Sequence, residues 1–310
     1  MKRTIHSLLL LGAALCAALL LAGCPTQPTY SPTITPIYAA TSAGSLYVYN
    51  GSTWSSTSPG VGGLTSVVVS GSGTAAWIFV GGSTGVSLSV NKGSSWTALA
   101  SGLGSAPVNS LFLGSNLYAA TSGGVSVLNS DQTTWTNSAT VPSVNNVFHY
   151  GTYTYVAASS LYVYNGTGLV TSYAASTVLA GSTVVRCVLV DSAFDVIAGT
   201  DKGVAVLYAG SSSFSTINLG ASPSVNGLWL DSSGTLYVAA STGLYILGTS
   251  SVHAFSDTAA LCVRTDGAGT IYAGTSSGLR TSTDGGSTWT TPLSGVQVNA
   301  VTTSAPLYSF

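Results

Sequence analysis

Beyond residue 36, apolar and polar positions follow one another in runs of about four to six residues, too short for helices. Leu46-Tyr47-Val48-Tyr49, Val108 to Leu113 and Ile271-Tyr272-Ala273-Gly274-Thr275 are rich in β-branched and aromatic residues, and Gly, Asn or Asp stands at the joints. That pattern predicts strands linked by tight turns. One stretch, SLYVYNG, occurs at residues 45–51 and again at 160–166. Its Asn-Gly dipeptide predicts a two-residue type I′ hairpin after a short strand.

The recurrence belongs to a longer period. Ile37-Tyr38-Ala39-Ala40-Thr41 aligns with Leu117-Tyr118-Ala119-Ala120-Thr121, with Leu236-Tyr237-Val238-Ala239-Ala240 and with Ile271-Tyr272-Ala273-Gly274-Thr275. Weaker copies start at residues 78, 154 and 196, giving seven copies spaced 35 to 42 residues apart. SLYVYNG therefore recurs three repeats on. Each repeat carries four strand-like runs, A to D; in the third these are 108–113, 117–121, 125–128 and 134–138. About 40 residues with four short antiparallel strands make one blade of a β-propeller, whereas solenoid coils of the leucine-rich kind take about 20 to 30. The predicted fold is all-β, a seven-bladed propeller over 37–310.

The phase of the repeat predicts how the ring closes. The first repeat opens at strand B, and a surplus strand A, Val298-Asn299-Ala300-Val301-Thr302, ends the last. Pairing that strand into the first blade leaves no open edge in the ring. Small pairs in strand B, such as Ala39-Ala40 and Ala198-Gly199, suit the place where neighbouring sheets converge.

Composition adds location. The 310 residues are 45% hydrophobic and 5% charged, and all 8 acidic residues are Asp. Lys2 and Arg3 precede an apolar run from Leu8 to Leu21, followed by Leu21-Ala22-Gly23-Cys24. This is the layout of a secretory signal peptide, and the apolar run is short for a membrane span. Leu-Ala-Gly-Cys also resembles the lipobox of bacterial lipoproteins. The resemblance implies cleavage after residue 23 and a lipid on Cys24, and Pro25 in place of Asp leans toward the outer membrane. Residues 24–36 hold prolines at 25, 28, 32 and 36, a tether reaching roughly 30 to 40 Å at ~3.1 Å per residue. Without Lys2 and Arg3 the chain has 5 basic and 8 acidic residues, so it offers no electrostatic footprint for nucleic acid.

Ser282-Thr283-Asp284-Gly285-Gly286-Ser287-Thr288-Trp289 resembles the Asp-box of BNR-type propellers, with degenerate forms at 89–96 and 130–135. The Val-Asn-x-Val and Ile-Tyr-Ala-Gly-Thr-x-x-Gly-Leu patterns resemble the repeats of two-component-regulator-type propellers. These resemblances imply a fold and little about activity. A local role is expected for the box: Asp284 accepts backbone N–H bonds in a C-to-D turn, and Trp289 packs on the sheet.

Chemistry is sparse. Asp-box sialidases use three arginines and a Tyr activated by Glu; Arg186, Arg264 and Arg280 are present, but the chain has no Glu. His149 and His253 lack a second ligand at metal spacing, no G-x-S-x-G elbow occurs with a partnered His and Asp, and no P-loop is found. Asp231-Ser232-Ser233-Gly234 and Asp266-Gly267-Ala268-Gly269 read as A-to-B turns. Cys187 and Cys262, two blades apart, are expected to be buried and reduced. One constellation remains. The start of strand A carries, in register, Thr65, Asn109, Asn145, Arg186, Asn226, Leu261 and Asn299. A polar ring at the channel mouth could bind a sugar or peptide, or each Asn could bond the neighbouring blade's backbone.

These readings predict a surface-anchored, non-enzymatic binding or scaffolding module without cofactor or metal. Its partners are expected to be the membrane, through the lipid, and a protein or glycan ligand. The rival readings are a polysaccharide lyase or hydrolase working at the mouth, and an assembly factor resembling the lipoprotein propellers that help build photosystem II.

Overall fold

The computed structural model describes residues 35–71, 76–103, 106–248 and 251–303. The predicted signal peptide, Cys24 and most of the tether lie outside these residues.

Seven sheets of four antiparallel strands form the ring of a seven-bladed β-propeller. Strand A of blades two to seven is Leu64–Ser70, Val108–Leu113, Asn146–Tyr150, Val185–Val190, Val225–Leu230 and Ala260–Thr265. Each packs against strand A of the next blade, so these strands line the axis.

The ring closes as the repeat phase predicts. The final strand, Val298–Thr303, joins the first sheet as its strand A and pairs antiparallel with strand B, Ile37–Thr41, from Ile37↔Thr303 to Thr41↔Val298. The two ends of the described chain thus share one hydrogen-bonded ladder.

Strand B is buried on both faces because a blade lies on either side of it. All five residues of Ile37–Thr41, Leu117–Thr121, Val196–Thr200, Leu236–Ala240 and Ile271–Thr275 are buried. The small residues mark the close approach. A Cβ on Gly199 would collide with Val225 of the next blade and with the Cys187 sulfur, and one on Gly274 with Val298 and the Cys262 sulfur. Cys therefore faces Gly in blades five and seven.

Local turns follow side-chain chemistry. In the B-to-C turns, Thr121, Thr200 and Thr275 donate from Oγ1 to the carbonyls of Gly124, Gly203 and Gly278 at 3.0, 3.1 and 2.9 Å. These glycines have φ of 140°, 131° and 154°, and a Cβ on Gly124 or Gly278 would strike the strand D backbone. The SLYVYNG hairpins differ from the Asn-Gly expectation by one residue. Asn165 pairs with Gly168 around Gly166-Thr167, and the Asn50 N–H bonds the Thr53 carbonyl around Gly51-Ser52. Asn50 is instead a cap, its Oδ1 accepting the N–H groups of Ser52 and Thr53 at 3.0 Å each.

Candidate functional site

A bulge sets the direction of six of the seven ring side chains, all but Asn145. In strand A of blades two, three, five, six and seven the pairing with strand B skips one residue: Thr65, Asn109, Arg186, Asn226 and Leu261. Asn299 is skipped in the same way against Ala40 and Thr41. A bulged residue leaves the pleat, so its side chain can turn toward the axis. The residue before each ring member is fully buried: Leu64, Val108, Val144, Val185, Val225, Ala260 and Val298 are all 0% exposed. This apolar residue holds the bulge against the neighbouring blade.

The structure brings all seven predicted ring residues to one cavity of about 230 Å³ at the mouth of the channel. Six of them form a belt in which each donates to the carbonyl just before the next ring member. Asn109 Nδ2 donates to the Val144 carbonyl at 2.7 Å, and Asn145 Nδ2 to Val185 at 2.9 Å. Arg186 Nε donates to Val225 at 2.9 Å, and Asn226 Nδ2 to Ala260 at 2.8 Å. Asn299 Nδ2 donates to Leu64 at 2.7 Å, and Thr65 Oγ1 closes on Val108. Leu261 is the one break. There the Cys262 sulfur lies 4.0 Å from the Val298 carbonyl. The belt is thus first a clasp between blades, as the architectural reading of the asparagines expected.

The clasp does not use up the ring's polar atoms. Asn226 Oδ1 accepts from the Arg186 guanidinium at 3.2 Å, and Asn299 Oδ1 accepts from Gln297 at 2.8 Å. Asn109 and Asn145 engage through Nδ2 alone among the described residues. Arg186 and Asn109 are exposed, and Arg186 has no carboxylate partner among the described residues. Nearby Asp201 is held elsewhere, by the Thr183 N–H and hydroxyl at 3.0 and 2.9 Å.

A second tier lies one residue deeper and was not anticipated. Asn146 donates to Ser110 Oγ at 2.9 Å and accepts from the Val188 N–H at 3.1 Å, while Ser66 Oγ accepts from the Leu111 N–H at 3.0 Å. The signal for it was the small or polar residue that follows each ring position.

The remaining candidates disperse. All eight carboxylates have local partners. Asp231 and Asp266 each accept two N–H groups of their own turn at 2.9 Å, plus the hydroxyl of Tyr237 or Tyr272. Asp191, Asp195, Asp131 and Asp201 likewise accept backbone N–H groups, and Asp257 pairs with Arg280. Asp284 accepts the Thr288 hydroxyl and N–H at 2.6 and 2.9 Å, which hold its carboxyl down at about 2. Asn91 copies this wiring in blade two, accepting the Ser95 N–H at 2.9 Å. Burial pushes the free thiols of Cys187 and Cys262 up to about 12.

The three arginines do not converge on one carboxylate site. Arg264 lies 3.7 Å over the Trp229 ring, and Arg280 sits 4.8 Å over Phe255 beside Asp257. His149 stacks on Tyr118 at 4.7 Å and bonds Thr154 at 3.0 Å, and burial lowers its pKa. His253 stacks on Tyr245 at 4.1 Å.

No protein-family model and no curated protein sequence matches this chain. Solved structures do. The extracellular domain assigned to a hybrid two-component system of B. thetaiotaomicron superposes with a TM-score of 0.62 at 16% identity, over 74% of this chain and 32% of that one. The WD40 β-propeller domain of Doa1 gives 0.62 at 14% identity, over 78% and 86%. YCF48 bound to a D1 peptide gives 0.55 at 14% identity, over 74% and 81%. The likeness is one of fold. This chain spans about a third of the length of the two-component-system domain.

Proposed function

We propose that this protein is a non-enzymatic binding module, held at the cell envelope by a lipid on Cys24, that presents its channel mouth to a protein or glycan partner. The observation that carries the reading is the mouth itself. It gathers a guanidinium with no carboxylate partner among the described residues and two amides with unbonded Oδ1 atoms around a cavity, on a scaffold already rigid through its belt. Preorganised donors and acceptors of this kind fix a polar ligand at low entropic cost. Asn109, Asn145, Asn226, Asn299, Thr65 and Arg186 are the proposed contact residues.

Catalysis at the mouth has little support. Every carboxylate already serves a turn, a loop or an ion pair, and neither histidine lines the cavity. A protein partner is in keeping with the peptide held by YCF48, a propeller of similar fold. Lipid anchoring and placement in the outer membrane rest on the lipobox resemblance.

The test is a screen of the full chain, purified in detergent, against envelope-protein and glycan arrays, with Arg186→Gln in parallel. Glutamine removes the charge and keeps an amide donor for the Val225 carbonyl. A specific hit weakened tenfold or more in Arg186→Gln places binding at the mouth; a hit of equal strength in both places it elsewhere.

A further inference from the structure

A second cavity, of about 520 Å³, opens between blades two and three away from the channel mouth. It lies where the A-to-B turn of blade three and the C-to-D turn of the same blade meet strand B of blade two, Trp77–Gly82. Its size falls within the about 300–1,000 Å³ usual for ligand pockets, whereas the mouth cavity falls below it. Trp77, Phe79 and Leu128 give it an apolar wall, and Asn116, Asn129 and Gln132 give it an amide rim. None of its described lining residues is charged.

Two further observations point to a ligand. The chain has six tryptophans, and four bond their indole N–H inside the protein: Trp96, Trp135, Trp229 and Trp289. Trp77 is half-buried, tilted 57° against Phe79 at 6.4 Å, and its Nε1 has no hydrogen-bond partner among the described residues. Gln132 adopts φ of 58°, a left-handed conformation that glycine takes without strain. The matching turn of blade seven places Gly285 there, at φ of 71°. Gln132 is exposed and lends its turn only a backbone bond, from its N–H to the Asn129 carbonyl at 2.9 Å. Lys92 takes the same conformation, at φ of 59°, in the matching turn of blade two, so the left-handed residue belongs to the turn, and in blade three it places an amide at the cavity rim.

We propose that this cavity binds a neutral saccharide. A pyranose ring has an apolar C–H face and a rim of hydroxyls. Trp77, backed by the buried Phe79, offers a surface to the face, while the Trp77 N–H and the amides of Asn129 and Gln132 offer donors and acceptors to the rim. Asn129 Oδ1 already accepts the Thr136 hydroxyl at 2.9 Å, which fixes its amide and leaves Nδ2 for a ligand. Uncharged side chains along its described lining favour a neutral ligand over acidic sugars and ionic peptides.

The site is separate from the channel mouth, so the two proposals fail separately. Isothermal titration of the full chain in detergent with hexasaccharides of glucose, mannose and N-acetylglucosamine is the test. Saturable binding to one of them is expected, weakened at least tenfold by Trp77→Ala and by Gln132→Gly and unchanged by Arg186→Gln. Gln132→Gly relieves the strained turn, so its melting temperature should equal or exceed that of the parent, and lost binding cannot then be laid to misfolding. Lys92→Gly, the same change in a turn away from the cavity, should leave binding intact. No heat with any of the three sugars, or binding that survives Trp77→Ala and Gln132→Gly, overturns the proposal.

Discussion

If the amide belt clasps the blades together, shortening its side chains must cost stability in proportion to the bonds each one makes. Asn109 and Asn145 each give one neutral bond to a neighbouring blade, at 2.7 and 2.9 Å. Alanine there should cost about 1 kcal/mol, since such a bond is worth ~0.5–1.5 kcal/mol and channel water can reach the orphaned carbonyl. Asn226 makes two, one of them accepted from the Arg186 guanidinium. With a charged partner in play, Asn226→Ala should cost about 2–3 kcal/mol. Chemical denaturation of each variant gives these values from the shift in midpoint at constant slope. Asn145→Asp sharpens the test. At neutral pH a carboxylate would face the Val185 carbonyl and turn the link repulsive, so the cost should exceed that of alanine. The folded-state pKa of that Asp would be raised, so the lost stability should return as the pH falls through about 4 and the group protonates. Alanine variants within about 0.3 kcal/mol of the parent, with no rank order, would refute the clasp.

Other expectations address closure, the box turn and the anchor. Deleting 297–310 removes strand A of the first blade, including Val298, which is 0% exposed, and should abolish cooperative unfolding of the ring; an unchanged melting temperature would contradict the ladder at the seam. The carboxyl of Asp284 lies at about 2, below its unfolded value. Its contribution should be complete above about pH 4 and fade as pH falls through about 2, so the gap in melting temperature between the parent and Asp284→Ala should close over that window. Cys24→Ala should move the protein from the membrane to the soluble fraction, and retention without any lipid would reject the anchor.

Much of the fold was legible because one strand of each blade is buried on both sides. Strand B reads Ile/Leu-Tyr-Ala-Ala/Gly-Thr in three blades and a close variant in two more, and its starts at 37, 117, 196, 236 and 271 match the sequence prediction. The surplus Val298-Asn299-Ala300-Val301 run gave the closure from phase alone. The ring positions were legible too, but the reason they point inward was not. Between Val108 and Leu111, both buried, the spacing is three where an unbroken strand would have two or four. That slip is the sequence trace of a bulge, and the same step of three separates Leu64 from Val67, Val185 from Val188, Ala260 from Val263 and Val298 from Val301. The direction of the amides depends on how far one blade turns from the next, a tertiary quantity that no local pattern encodes. The Asn-Gly hairpin shifted by one residue because the Asn50 side chain found better use capping the turn. The cavity beside Trp77 draws on separate segments of two blades, with nothing in their spacing to link them.

Crosslinking in living cells decides whether the channel mouth meets a partner at the cell envelope. A photo-crosslinking residue at position 261, the one break in the belt, tests it without cutting any clasp bond, with a matched label at Ser172 on the outer strand of blade four as reference. Illumination of living cells should give a discrete adduct from position 261 that fades in Arg186→Gln and is absent from position 172. The same adducts from both positions, or none from 261, would contradict the claim and leave the ring as architecture alone.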